Sequence, residues 1–203
     1  MRLACAGRAS GSGVRYCLVI MAKKTKPKAG WQPLKLDLGC GQRKQEGFVG
    51  VDIAPIEGVD IVHDLRNVPW PFADNSVDQI YSSHTIEHLD DLIPFFNEVH
   101  RILKPGCQAV IIAPYYSSIR CWQDPTHKQA ISECTFLYYN KQWREEQGLS
   151  HYPITADFDF TYGYSFHPNW AARSDEARAF AVAHYINVVT DIQVAMTKRE
   201  PGK

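Results

Sequence analysis

The octamer SSHTIEHL, Ser82 to Leu89, sets His84 and His88 four residues apart with Glu87 between them. Spelled H-x-x-E-H, this is the spacing at which one helix face offers two imidazoles to a zinc ion while a glutamate serves as general base. A different chemistry is written upstream. LDLGCG places Asp37 near the end of an apolar run and Gly39 and Gly41 in the turn that follows, and Asp52 and Asp64 close the next two apolar runs. Glycines there let the backbone approach a ligand closely and take positive φ. A strand-end carboxylate such as Asp52 can accept two hydrogen bonds from a ribose diol. The first motif suggests metal-assisted hydrolysis and the second a nucleotide-cofactor site. The elements that carry them decide between the two.

LKLDLG from Leu34 reads as a short buried strand, and FVGVDI from Phe48, VDIVHD from Val59 and VDQIYS from Val77 as three more strands. DLIPFFNEVHRILKPG then repeats apolar residues at Leu92, Phe95, Phe96, Val99, Ile102 and Leu103, the stripe of an amphipathic helix stopped by Pro105-Gly106. CQAVIIAP, Cys107 to Pro114, is a fifth strand, apolar and β-branched enough for the middle of a sheet. Residues 115–172 lose clear periodicity and crowd together Tyr, Phe, Trp, His and Pro, which predicts an irregular, aromatic-rich lobe over the sheet. SDEARAFAVAHYI opens with a Ser174 cap and an acidic first turn, hence a helix, and NVVTDIQVAMTK closes the pattern as a strand. The predicted fold class is α/β: a Rossmann-like, mostly parallel sheet with ligands outside the carboxyl ends of its strands. Parallel neighbours usually need a crossover of about a dozen residues or more. Only Cys40–Gly47 and Ala54–Gly58 separate the first three strands. The early crossover helices are therefore shortened or missing, and something else must shield that face.

A dinucleotide fingerprint would add a third glycine and place its acid about 20 residues further on. Here Arg43 and Lys44 stand where that turn continues, and Asp52 follows Gly41 by 11 residues. A ligand without pyrophosphate suits this better. On LDLGCG, VGVDI, HDLRNVPWPFADNSVDQIYSSHTIEHL and EVHRILKPGCQAVIIAP, over about residues 34–114, the chain resembles the class I S-adenosylmethionine-dependent methyltransferases, in particular the small type 11-like group. It departs from the commoner pattern in its missing third glycine and short linkers. The resemblance implies S-adenosylmethionine as cofactor, with Asp37, Gly39, Cys40 and Gly41 bordering its methionine and ribose parts. It also implies Asp52, with Ile53 beside it, on the ribose hydroxyls, and Asp64 with Leu65 at the adenine edge. Ser82, Ser83 and His84 would open the fourth strand beside the sulfonium. Asp64 has a competing reading as the turn former of HDLRN.

In that frame SSHTIEHL follows a strand directly, which puts His84 in a loop and off any helix shared with His88. A zinc site would also need a third ligand, and Glu133, Glu145, Asp157 and Asp159 offer no distinguishing context. The expectation is a site without metal, with a zinc-dependent hydrolase as a remote alternative and His88 as a packing residue that hydrogen-bonds the loop.

Methyl transfer from a sulfonium is an in-line displacement, so alignment and exclusion of water matter most. A hydroxyl or protonated amine acceptor adds the need for a base, for which His127 and Asp124 in QDPTHK and His84 are the candidates. Tyr115, Tyr116, Trp122, Phe136, Tyr138, Tyr139 and Trp143 are candidate walls of an acceptor pocket, although such residues more often form the core of a lobe. Two other classes stay open. A binding module or pseudoenzyme would hold the cofactor and transfer nothing, and a nicotinamide oxidoreductase would prefer NAD.

The whole sequence, 203 residues with 45% hydrophobic and 22% charged residues, is that of an ordinary globular protein. One methyltransferase domain is expected over 31–203, divided into a cofactor-binding core (31–114), an acceptor-side lobe (115–172) and a closing helix and strand (173–203). Six cysteines without a C-x-x-C pair predict reduced thiols, and no apolar run approaches the roughly 20 residues of a membrane span. A cytoplasmic protein with no membrane partner is expected. Charge is uneven: residues 1–30 carry seven of the 22 basic residues and no acid, which leaves 15 basic against 22 acidic residues in the rest. An acidic body disfavours nucleic acid except through that basic, disordered tail and favours a small-molecule acceptor. Met21 is an alternative start, which would leave residues 1–20 without structural meaning. The oligomeric state is not legible.

Overall fold

The computed structural model describes residues 32–200. The basic tail and Met21 lie outside them. Four parallel strands come first: β1 (Lys35–Leu38), β2 (Val49–Asp52), β3 (Ile61–Val62) and β4 (Val77–Ser83). No helix stands between them among the described residues, in keeping with the short linkers. A 3-10 turn, Ile86–His88, leads into α1 (Leu92–Ile102) and then β5 (Leu103–Pro114). Next come α2 (Ile119–Trp122), α3 (Glu133–Leu137), α4 (Lys141–Glu146), β6 (Phe158–Phe166), α5 (Pro168–Ala171), α6 (Asp175–His184) and β7 (Val189–Lys198). The strands form one sheet in the order β3-β2-β1-β4-β5-β7-β6. β1 to β5 run parallel, and β7 lies antiparallel between β5 and β6. This is the predicted α/β architecture.

α1 forms where the stripe predicts it. Asp91 caps it by accepting from the Ile93 amide at 2.8 Å, and Leu92, Phe95, Phe96, Val99 and Ile102 are buried in one cluster with Leu36, Leu38, Ile80 and Ile111 of the sheet. Each such side chain contributes about 1.5–3 kcal/mol by leaving water. The opposite sheet face stays half-covered: Lys35, Tyr81, Val110 and Ile112 keep partial exposure.

The lobe needs correction. Residues 115–172 contain three short helices ahead of β6, which joins the main sheet, and α5 after it. FDFTYGYSF does alternate, with an aromatic ring at every second residue from Phe158 to Phe166, a strand signal hidden by the aromatic crowding around it; β6 forms the sheet edge, and only Phe158 is fully buried. The aromatic residues do not make one wall either. Phe136 and Tyr139 pack on Phe96 in the core, Tyr138 meets Trp143 elsewhere at 5.0 Å, and Trp122 is exposed. Within the lobe, buried Arg144 donates to the carbonyls of Tyr138, Ile154 and Ala156, tying α4 to the chain that enters β6.

Candidate active site

Strand order reverses between β1 and β4: the chain leaves β1 toward β2 and β3 on one side and returns through β4 to β5 on the other. Open α/β sheets bind ligands at such a switch point, beyond the carboxyl ends of the strands. LDLGCG lies there. Gly39 has φ 71° and Gly41 φ 51°, both in the left-handed region, and the Gly39 amide donates to the Val51 carbonyl at 2.8 Å. Space for a Cβ on Gly41 is open, whereas a Cβ on Gly39 would collide with Thr85. The turn is thus a backbone cradle, open on one side and closed by Thr85 on the other.

Asp52 sits across this cradle. Its carboxylate accepts from the amides of Gly41 at 2.9 Å and Ala54 at 3.0 Å, one to each oxygen. That holds it in place and leaves each oxygen a further lone pair for a hydroxyl. Ile53 beside it is 56% exposed, an apolar surface at the edge of the cradle. Buried Asp37 points back into the loop and accepts from the Gln45 amide at 2.8 Å, and its pKa is raised, chiefly by burial. Cys40 is buried, and burial with the nearby charges of Asp37 and Asp52 pushes its thiol up to about 11, so it is inert near neutral pH.

Asp64 follows its turn-forming reading. It accepts from the Arg66 amide at 3.0 Å and is gripped by the Arg66 guanidinium, whose hydrogen bonds hold its carboxyl below the usual range. Leu65 beside it is buried. Ser82 is also buried, and its hydroxyl donates to the Leu38 carbonyl at 2.9 Å, which ties the end of β4 to the end of β1. Ser83 is half-buried, and its carbonyl accepts from the Thr85 hydroxyl at 3.3 Å.

The acceptor-side candidates converge on one residue. His84, at φ 55°, is outside the 3-10 turn that carries His88, as expected from its loop position. Its Nδ1 lies 3.2 Å from Oε1 of Glu87 and its Nε2 3.7 Å from Oδ1 of Asp191 on β7. His127 Nε2 lies 4.0 Å from the same Glu87 oxygen and from Asp124 Oδ2. Asp124 is engaged by the amide and hydroxyl of Thr126, which hold its pKa low. The loop that carries His127 is fastened by the Lys128 amide on the Glu87 carbonyl at 2.7 Å and by Gln129 Nε2 on the Leu89 and Asp90 carbonyls. Asp191, salt-bridged to Arg120 at 2.7 Å, went unnoticed in the sequence, because a lone acid in the closing strand carries no local signal.

The comparisons with known proteins agree with this geometry. Residues 36–111 match the family model described as "Methyltransferase domain". Residues 36–111 carry a methyltransferase domain on a Rossmann-like fold. S-adenosylmethionine is the cofactor of this domain type, and the open cradle, the fixed Asp52 carboxylate and exposed Ile53 fit an adenosine. None of the curated proteins gives a significant match. Among solved structures, an S-adenosylmethionine-dependent methyltransferase from Archaeoglobus fulgidus superposes with a TM-score of 0.56 at 23% identity, covering 82% of this chain and 86% of that one. A geranyl diphosphate C-methyltransferase from Streptomyces coelicolor gives 0.53 at 15%, with 82% and 73% covered. An S-adenosylmethionine-dependent methyltransferase from Mesorhizobium loti gives 0.51 at 14%, with 81% and 90% covered. At these identities the likeness establishes the fold.

Proposed function

We propose that the chain transfers a methyl group from S-adenosylmethionine to a small-molecule acceptor, with residues up to 114 binding the cofactor and the segment after Pro114 receiving the acceptor. The observation that carries this reading is the placement of two unlike sites on either side of the β1/β4 switch point. One is the Gly39–Gly41 cradle under Asp52, and the other is the His84 imidazole flanked by Glu87 and Asp191. The bound cofactor supplies an electrophilic methyl on a sulfonium. Asp52 holds the ribose hydroxyls and Ile53 lies along the nucleoside.

His84, with 38% of its side chain exposed, is reachable by an acceptor and lies beside the carboxylates of Glu87 and Asp191. In this reading it takes the proton that a hydroxyl or ammonium acceptor gives up. The carboxylates of Glu87 and Asp191 favour an acceptor that is neutral or cationic over a polyanion. No helix of the described residues is long and apolar enough to cross a membrane. The four described cysteines are free thiols, which suits a reducing cytoplasmic setting.

The test is transfer of labelled methyl groups from S-adenosylmethionine to fractionated small metabolites, parent chain against His84→Gln. Loss of a proton acceptor predicts a fall of about 100-fold or more in turnover with unchanged binding of S-adenosylhomocysteine. A chain that binds S-adenosylhomocysteine and labels no fraction is a binding module, which overturns the reading.

A further inference from the structure

Glu87 is the anomaly of the site. It is fully buried, yet neither carboxylate oxygen has a hydrogen-bond partner, and His84 Nδ1 at 3.2 Å is not aligned to donate. A buried carboxylate is costly unless a charge or a donor meets it. Around it stand His88 and His127, and one ligand atom from each of the three residues lies within 4.8 Å of the others.

Both imidazoles have their free nitrogen chosen for them. His127 Nδ1 lies 3.0 Å from the Cys121 carbonyl, which can only accept, so Nδ1 bears the proton and Nε2 presents its lone pair. His88 Nδ1 lies 2.9 Å from Thr126 Oγ1. That hydroxyl spends its one proton on Asp124 Oδ1 at 2.7 Å, so it accepts from His88, whose Nε2 is left free in the same way. Outer partners that fix the imidazole tautomer, here a carbonyl and a carboxylate-bound hydroxyl, are what metal-ligating histidines regularly have.

We propose that Glu87, His88 and His127 form a binding site for one divalent transition-metal ion of the zinc type. Two imidazoles and one carboxylate suit zinc and its first-row neighbours, and three protein ligands leave at least one coordination position open. Ligand atoms around such an ion stand about 3.3 Å apart, given bonds of roughly 2.0–2.1 Å. No pair need close by more than about 1.5 Å, within the reach of side-chain rotation. This set is not the His84 and His88 pair of the H-x-x-E-H spelling. It takes only the last two letters of that motif and draws its third ligand from QDPTHK, brought in by the loop fastened to the Glu87 carbonyl. The proposal departs from the metal-free expectation, and a bound ion would offset the Glu87 charge that flanks His84 in the methyl-transfer reading, but its test stands apart because ion binding is measured without cofactor or acceptor.

The full chain, stripped with a chelator and dialysed, is titrated with zinc chloride by calorimetry and with cobalt(II) chloride by visible absorption. One ion per chain is expected, with affinity lowered tenfold or more in Glu87→Gln, His88→Ala and His127→Ala and about tenfold in Thr126→Val, the range for outer partners. Melting curves of the stripped variants check that each is folded. Should Glu87→Gln fail to fold, His127→Ala and the exposed-site Thr126→Val decide by the same criterion. No ion bound at high micromolar concentration overturns the proposal. So does one bound ion indifferent to these substitutions, which would place it on thiols or other side chains.

Discussion

The side chain of Thr85 fills the space into which a Cβ on Gly39 would project. The Thr85 hydroxyl also reaches the Leu38 carbonyl at 3.2 Å, so the chain leaving β4 locks the glycine turn after β1 from behind. A side chain at position 39 would meet two penalties at once: a strained φ of 71° and overlap with Thr85. Gly39→Ala should cost roughly 2–4 kcal/mol of stability and weaken S-adenosylhomocysteine binding. Denaturant melts of Gly39→Ala with and without Thr85→Ala provide the check, since the second change relieves the overlap and leaves the φ penalty. Simple additivity of the two substitutions would show that the contact is not the cause.

Asp52→Ala should weaken S-adenosylhomocysteine binding by roughly 1.5–3 kcal/mol, the worth of hydrogen bonds to a charged group. Calorimetry measures this directly. Asp52→Asn should lose less, because a side-chain oxygen remains for one of the two amides that position the parent carboxylate. Undiminished binding in the alanine variant would remove Asp52 from the ribose.

Arg144 is buried and answers three backbone carbonyls of the lobe. Arg144→Met keeps the apolar stem but leaves those carbonyls without their donor. A loss of roughly 3 kcal/mol is expected from unsatisfied buried acceptors, read as a shift in the urea midpoint. Cofactor binding should persist wherever the variant is folded, since the Arg144 side chain hydrogen-bonds the carbonyls of Tyr138, Ile154 and Ala156 and none in the Gly39 turn.

His100 supplies a pH dependence of stability. Burial, reinforced by the neighbouring Lys198 charge, pushes its pKa down from 6.5 to about 4. The folded chain therefore keeps this ring neutral where the unfolded chain protonates it. The contribution is absent above pH 6.5, and stability falls as pH drops from about 6.5 to about 4, where the folded form also protonates. Urea midpoints across that window should decline less steeply in His100→Gln. Equal slopes in parent and variant would acquit His100.

What the sequence displayed depended on how each residue announces itself. β1, β2, β4 and β5 are short strands closed by a glycine turn, an acid, a serine and a proline, and α1 carries an unbroken stripe, so local pattern sufficed. β6 is an edge whose tyrosines are half in water, and its pairing with β7 is a long-range fact. The nearness of Gly39, Gly41 and Asp52, proposed as the cofactor side, was legible because they belong to one strand-turn-strand unit. The acceptor side was not. Glu87, His127 and Asp191 come from three distant segments, and only the folding of the 124–129 loop onto residues 87–90 brings the first two together.

The position of β7 between β5 and β6 has a consequence for the birth of the protein on the ribosome. β6 is synthesised first but has no neighbour to pair with until β7 follows it out. Its row of Phe158, Phe160, Tyr162, Tyr164 and Phe166 must wait as an unpaired, aromatic edge, the kind of surface that aggregates when exposed. The parallel half, whose strands are joined by short linkers, pays little loop-closure entropy and can be assembled by then. A slowed ribosome between Phe166 and Val189 would lengthen the interval in which that edge is open to intermolecular capture, while a pause before Phe158 would leave it unmade and harmless.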